Sequence, residues 1–169
     1  MRLRFPHRGF SLLELLVAAS LMASIVTAAA MVLRSTQTSW TTHVADHESL
    51  EAGYATLRHI TRGVRQAESV TAITNPGNTA GSLTALLASG QTVVWSQSGS
   101  QVNYGVGAPT SLLAYGVTEL SFLGYKADGI TTTIVPAEVQ SVLCTVKVSL
   151  QRSSTPTRTL SSRVWLRAW

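Results

Sequence analysis

The sequence predicts an α+β fold, in which a long N-terminal α-helix, membrane-spanning in its first half, packs on a C-terminal antiparallel β-sheet head. Three observations predict this fold. The residues from Phe10 to Leu33 include no Arg, Lys, His or Pro, and no proline follows until after Ile73. Beyond that point, apolar and polar residues alternate with the period of β-strands. The composition, 45% hydrophobic and 12% charged, is typical of a folded protein.

These patterns predict four segments. Residues 1–9 form a leader peptide, and residues 10–33 form a transmembrane helix. Residues 34–70 continue that helix as an amphipathic segment, and residues 71–169 form a β-rich globular head.

The leader carries three basic residues immediately before an apolar run. Arg2, Arg4 and Arg8 are expected to hold the N-terminus in the cytoplasm, so that the remainder of the chain is exported. The run from Phe10 to Leu33 exceeds the ~20 residues that span a bilayer. Because three of the five net positive charges lie in the leader, the basic composition does not predict nucleic acid as a partner.

Glu14 is the one charged residue of the apolar run, where a carboxylate costs roughly 2.5–3.5 kcal/mol on insertion scales. Three interpretations of the segment are open. A secretory signal would use the small residues Ala28 to Ala30 as its cleavage site, although its apolar region is ordinarily about 7–15 residues. A plain membrane anchor leaves Glu14 unexplained. The third possibility is a helix that leaves the lipid and packs against copies of itself.

The third interpretation gives Glu14 a partner. If a peptidase cuts between Gly9 and Phe10, the new α-amino group is a cation at neutral pH, and Glu14 of a neighbouring subunit can pair with it. A buried ion left unpaired costs several kcal/mol. Glu14 would therefore fix the register between subunits.

The stretch RGFSLLELLVA resembles the class III signal of type IV pilins and type II secretion pseudopilins. In that signal a basic leader ends in Gly, an aromatic residue follows, and a Glu lies five places after the Gly, as Gly9, Phe10 and Glu14 do here. The resemblance implies that a prepilin peptidase cuts after Gly9 and methylates the amine of Phe10. It also implies that residues 10–33 form the core of a helical filament.

The later sequence resembles minor pilins and J-type minor pseudopilins in the order of its short sequence motifs. The passage LLAYGVTELSFLGYKADG is similar to their leucine pair, aromatic strand and Asp-Gly turn. A single cysteine precludes the C-terminal disulfide loop of major pilins, and the proline often found midway along their apolar segment is missing. Both departures favour a minor subunit.

The helix is predicted to continue from Phe10 to about Glu68. Gly53 and Gly63, which have low helix propensity, are predicted to be its weakest positions, the soft points of the helix. A polar face carries acids at positions 46, 48 and 51 and arginines at positions 58, 62 and 65. Its apolar stripe repeats at three- and four-residue steps. The stripe consists of Val44, Leu50, Tyr54, Leu57, Ile60, Val64 and Ala67.

The breaker-rich segment from Ile73 to Ser82 is predicted to end the helical region. Two strands should then flank Ser98-Gly99, a third should hold Leu120 and Phe122 together, and Asp128-Gly129 should form a turn. The last two strands are expected to alternate. Their inward residues are Val142, Cys144, Val146, Val148 and Leu150 in one, and Leu160, Ser162, Val164, Leu166 and Ala168 in the other.

The other candidate residues are expected to have structural roles rather than to bind a metal or act as reactive groups. His43 and His47, four apart on a helix, have the spacing of a metal clip but are expected on a solvated face. Asp128 has no further acids at calcium-loop spacing. Cys144 is expected to be buried. The C-terminal arginines Arg152, Arg158, Arg163 and Arg167 fit a partner interface or a packed sheet edge as well as DNA.

The sequence thus predicts a structural protein, not an enzyme, with no cofactor and no metal. By the resemblance, it is a minor subunit of a type IV pilus or a type II secretion pseudopilus. Its implied partners are the prepilin peptidase, other pilins or pseudopilins, the inner-membrane assembly platform and, before assembly, membrane lipid.

The implied location is the bacterial inner membrane, crossed once, with a periplasmic head, and then the filament. A membrane-tethered extracytoplasmic binding protein is the alternative from another class. A DNA-uptake minor pilin is the alternative within the family. Substitution of Glu14 by alanine should block assembly of a filament subunit and leave a tether unaffected.

Overall fold

The computed structural model describes residues 11–151 and 156–167. The chain divides into two compact units, Met1–Thr41 and Thr42–Trp169. The described part of the first unit is helical after Ser11. The second unit, called the head below, contains the rest of that helix and every strand.

One helix, nine strands and a single turn of 3-10 helix make up the regular structure of the described residues. Helix α1 spans Leu12–Arg65, and the 3-10 turn spans Pro136–Glu138 between the seventh and eighth strands. The strands are β1 (Ala67–Ile73), β2 (Ser82–Leu87), β3 (Thr92–Ser98), β4 (Gln101–Val106), β5 (Ser111–Tyr115), β6 (Val117–Tyr125), β7 (Thr132–Thr133), β8 (Ser141–Ser149) and β9 (Thr157–Trp165).

Helix α1 ends at Arg65, before the predicted end near Glu68. The segment Ala67–Ile73, predicted as the last part of the helix and the start of the breaker region, is strand β1 instead. Its β-branched residues, Val70, Thr71 and Ile73, favour a strand. The three-residue step from Val64 to Ala67 misled the prediction, because it continues the helical stripe across the helix end.

The strands form two antiparallel sheets, where the sequence predicted one. The first sheet is a meander of β1 to β5 in chain order, and the second has the order β7-β6-β8-β9. The predicted hairpin at Ser98-Gly99 is confirmed as β3 and β4. The breaker-rich segment joins the two sheets, since the Gly81 N–H donates to the Leu120 carbonyl at 2.7 Å and the Leu120 N–H donates to Thr79 at 3.0 Å.

The core of the head forms between one face of α1 and the sheets. Leu57, Ile60 and Val64 of the predicted stripe are buried, whereas Tyr54 is 55% exposed and Val44 is 39% exposed. The prediction was wrong for those two residues. At the position of Tyr54, the neighbouring Gly53 faces the sheet instead. The largest fully buried side chains of the strands are Trp95, Leu83 and Leu120, with Phe122 also buried.

Both helical glycines serve close packing. A Cβ at Gly53 would lie 2.8 Å from the Leu160 side chain, and a Cβ at Gly63 would lie 2.4 Å from the Trp95 ring. Real Cβ atoms do not approach other heavy atoms so closely, because packed interiors are already dense. The helix continues through both positions, so these predicted soft points are places where the sheets approach the helix backbone.

The two closing strands confirm the predicted alternation. Val142, Cys144, Val146 and Val148 of β8 are fully buried, and the intervening Thr145 and Lys147 are half-buried. In the closing segment Leu160, Val164 and Leu166 are buried, whereas Ser162 is half-buried. Leu150 lies beyond the end of β8, and Ala168 is outside the described residues.

Candidate functional site

The first candidate site lies at the start of helix α1. The Ser11 N–H donates to Glu14 Oε2 at 3.3 Å, and the Glu14 N–H donates to Ser11 Oγ at 3.2 Å. This reciprocal pair is a capping box, which satisfies two backbone donors that the first helical turn leaves without partners. The capping box was not among the features predicted from the sequence, although the pattern Ser-x-x-Glu at positions 11–14 is its usual signal.

Glu14 also lies where the helix dipole favours a negative charge, since it is the acidic residue of the first turn. Its carboxylate is exposed and bonded only to its own helix terminus in the described chain. Helix capping therefore accounts for an acid at this position in the isolated subunit. It does not by itself account for an acid inside a bilayer or an apolar bundle.

The surface that follows is apolar and uncovered. Every residue from Ser11 to Thr41 is exposed, including large apolar side chains from Leu12 to Leu33. Helix α1 is the one described helix long and apolar enough to cross a membrane. A soluble protein rarely exposes apolar area of this extent, which marks a surface for lipid or for other subunits.

The polar side chains in this segment bond back to their own helix. The hydroxyls of Ser20, Ser24 and Thr27 donate to carbonyls three or four residues earlier, at 2.7 to 2.9 Å. Each hydroxyl is thus satisfied without water or a second helix, which a segment surrounded by hydrocarbon requires. Glu14 is the exception, because its carboxylate keeps further hydrogen-bonding capacity.

The residues predicted to direct processing lie outside the described residues. These are Gly9 and Phe10, with the basic leader residues Arg2, Arg4 and Arg8. Their assignment stays a prediction from the sequence.

The other candidate sites have structural explanations. His43 and His47 are exposed, His47 lies 3.6 Å from Glu51, and the described chain brings together no three ligand-type side chains suited to a metal. Asp128 forms the predicted turn by accepting the N–H groups of Ile130 and Thr131 at 2.9 Å. Hydrogen bonding, led by the Thr131 hydroxyl, lowers the pKa of Asp128.

Cys144 is fully buried, and its burial raises the pKa of the thiol to about 12. The thiolate is the reactive form of cysteine. The predicted buried structural role is therefore confirmed.

Arg163 belongs to a packed surface of the second sheet. Its guanidinium lies 4.0 Å from the centroid of the Tyr125 ring and 5.4 Å from that of Trp165. It also donates to Ser141 Oγ at 2.9 and 3.1 Å and to the Gly129 carbonyl at 2.8 Å. Of the alternatives left open for the C-terminal arginines, a packed sheet edge therefore describes Arg163. Arg152 and Trp169 lie outside the described residues.

Residues 4–30 match the sequence model of the prokaryotic N-terminal methylation motif. The N-terminus therefore carries the methylation motif of type IV pilin-like proteins. The match covers the positions of Gly9, Phe10 and Glu14 and most of the apolar helix. Searches of the curated proteins and of the solved structures found no significant match.

The long helix followed by antiparallel sheets is the α+β, pilin-like architecture that the resemblance implied. Pilin-like proteins of this class are structural, and their motif implies processing by a prepilin peptidase and assembly with other pilins. Motif and apolar helix together indicate that the protein is anchored in a membrane.

Proposed function

We propose that the protein is a minor structural subunit of a type IV pilus or a type II secretion pseudopilus. A prepilin peptidase cuts between Gly9 and Phe10 and methylates the new amine, and the subunit then enters the filament through helix α1. The inner-membrane assembly platform receives it from the lipid, with its head on the periplasmic side.

One observation carries the proposal: the lone carboxylate of Glu14 lies at the start of an exposed apolar helix within a methylation motif. Removal of the leader creates a cation at Phe10, four residues before Glu14. An intermolecular pair between the two groups discriminates strongly against misregistered neighbours, because an unpaired buried ion is costly. The capping box holds the Glu14 side chain at the helix terminus, where such an amine arrives.

The minor role is supported by the cysteine content. Cys144 is the single cysteine of the sequence and is buried in the head. The head is therefore stabilised by its core without the disulfide loop of major pilins.

The experiment is intact and N-terminal peptide mass spectrometry of the full chain from its native membranes. The expected chain begins at N-methylated Phe10. Substitution Gly9→Val should yield a chain that keeps its leader, since the bulky side chain blocks approach of the peptidase to the backbone. A native chain that begins at Met1, or after Ala30, would overturn the proposal.

The minor role needs a second measurement. Filaments sheared from the cells should contain the processed chain at a small fraction of the most abundant pilin-like protein. If this chain is itself the most abundant, the subunit is a major one and that part of the proposal is wrong.

A further inference from the structure

A basic groove lies in the head between the C-terminal part of helix α1 and strand β9. It has a volume of about 460 Å³, and none of the described residues that line it is acidic. Its lining includes Tyr54, Arg58, Arg62, Arg65, Ser161 and Ser162. Strand β9 is an edge strand of the second sheet, so the groove is open on its outer side.

The three arginines lie on one face of the helix, at spacings of four and three residues. All three are exposed, and none forms an ion pair with a residue in the described ranges. Like charges at this spacing destabilise a helix. The helix dipole favours Arg62 and Arg65 in the last turn, but Arg58 lies before that turn and gains nothing from it.

The groove therefore has the chemistry of a carboxylate site. A guanidinium presents a planar fork of donors that matches a carboxylate, and Ser161 and Ser162 add hydroxyl donors beside it. Tyr54 and Leu57 at the same groove supply apolar surface, which a protein segment can cover.

Charge balance favours a protein over a nucleic acid. From Thr42 onward the sequence has nine basic and seven acidic residues, so the head has little net positive field to attract a polyanion. The positive charge is local to the groove.

The same helix carries the complementary charge earlier in its course. Glu48 and Glu51 are exposed, lie one turn apart, and precede Arg58 and Arg62 by ten and eleven residues. Two parallel helices displaced by about 15 Å would set such carboxylates beside such arginines. Subunits that insert their N-terminal helices in the same direction meet in this parallel arrangement.

We propose that this groove binds the acidic stretch of the helix of an adjacent pilin-like subunit, with its three arginines, Arg58, Arg62 and Arg65, as the carboxylate contacts. The inference rests on the proposed function and adds to it the surface by which the head selects its neighbour along the filament.

The test uses the full chain in its native membranes, with Tyr54 replaced by the photoreactive p-benzoylphenylalanine. Irradiation should give an adduct with an acidic helical peptide from a protein that carries an N-terminal methylation motif, whether another protein or a second copy of this chain. The double substitution Arg58→Glu and Arg65→Glu should lower the adduct yield at least tenfold. Arg62 is left in place because its charge acts on His59.

The matched control is Arg158→Glu, which reverses an exposed charge on β9 away from the groove lining and should leave the yield unchanged. An adduct that withstands the double substitution, an adduct with nucleic acid, or the lack of any adduct would overturn the inference. Thermal unfolding of the double variant should differ little from that of the native chain, since both arginines are exposed and the helix dipole contributes at most about 1 kcal/mol at such a site.

Failure of the inference is distinguishable from failure of the proposed function. If the double variant begins at N-methylated Phe10 and enters filaments as efficiently as the native chain, the inference alone is overturned. A native chain that keeps its leader overturns both.

Discussion

The indole N–H of Trp95 donates to Nδ1 of His59 at 3.0 Å. Trp95 is fully buried, whereas His59 is half-buried, with its ring centroid 4.5 Å from that of Tyr104. An accepting Nδ1 requires a neutral imidazole with its proton on Nε2. Protonation of Nδ1 would place its new N–H against the indole N–H of Trp95 and leave that buried N–H without an acceptor.

Stability of the head should therefore fall on mild acidification. Burial, followed by the positive charge of Arg62, lowers the pKa of His59 from its ordinary value of 6.5. Between that lowered value and 6.5 the unfolded chain binds more protons than the folded one, so stability rises with pH across the window and is lost as pH falls. Thermal unfolding monitored by tryptophan fluorescence should give a lower midpoint at about pH 5.5 than at about pH 7.5, on either side of the ordinary histidine pKa.

The substitution His59→Gln should reduce this pH dependence, because an amide oxygen accepts the indole proton without titrating. His47→Gln, at an exposed position, should retain it. Asp128 and Glu138 have lowered pKa values and act at more acidic pH. An equal pH dependence in the native chain and in His59→Gln would refute this role for His59.

Gly63→Ala should destabilise the head despite the better helix propensity of alanine. The new Cβ would lie 2.4 Å from the Trp95 ring, and overpacking costs typically about 1–3 kcal/mol against a propensity gain of about 1 kcal/mol. The expected result is a lower unfolding midpoint in circular dichroism. Gly77→Ala is the control, since nothing lies within 4 Å of its Cβ position. A midpoint unchanged or raised by Gly63→Ala would show that Trp95 can move aside.

Arg163→Ala should destabilise the head by about 1.5–3 kcal/mol, the usual value of hydrogen bonds to a charged group. The substitution removes the stacking of the guanidinium on Tyr125. It also removes the N–H groups that donate to the hydroxyl of Ser141, a fully buried residue. Arg163→Lys keeps the charge but loses the planar fork, so its stability in denaturant unfolding should fall between those of the native chain and Arg163→Ala. Arg158→Ala, at an exposed position on the same strand, should have little effect. Equal stability of Arg163→Lys and the native chain would assign the effect to charge alone.

Two substitutions separate the capping role of Glu14 from its charge. Glu14→Gln keeps a capping box, because Gln serves as well as Glu at that position, but removes the charge. Ser11→Ala removes the side-chain acceptor of the cap and leaves the carboxylate. If Glu14 recognises a neighbour's amine, Glu14→Gln should abolish incorporation into sheared filaments and Ser11→Ala should permit it. The opposite pattern would assign Glu14 to helix capping, and leader removal in both variants is checked by mass spectrometry.

Residues whose environment is set by local periodicity were predictable from the sequence. The alternation of β8 and the buried positions Leu57, Ile60 and Val64 follow from such periodicity. The end of α1 was not predictable in this way, because Val64 and Ala67 are both buried and their spacing suits a continuing helix.

Contacts between residues distant in sequence left no local signal. The position of Tyr54 in the predicted stripe was wrong because Gly53 approaches Leu160, which no helical pattern reveals. The His59 and Trp95 pair is likewise set by the fold of the first sheet against the helix. At the candidate site, the sequence identified Glu14 by its isolation among apolar residues. Its bond to Ser11 was missed because an acid in that setting first suggests partners in other subunits.

The contact of Gly53 with Leu160 also bears on how the protein folds. Leu160 lies on the last strand, almost the whole length of the head after Gly53 in the chain. Pairings of such long sequence separation form slowly, since loop closure must precede them. The part of the helix around Gly53 thus remains open until β9 has been synthesised and exported, whereas the part around Gly63 is covered by Trp95 of β3. A head whose helical end leaves the membrane first would be unfinished, and exposed to aggregation and proteolysis, until its final strand closes over the glycine.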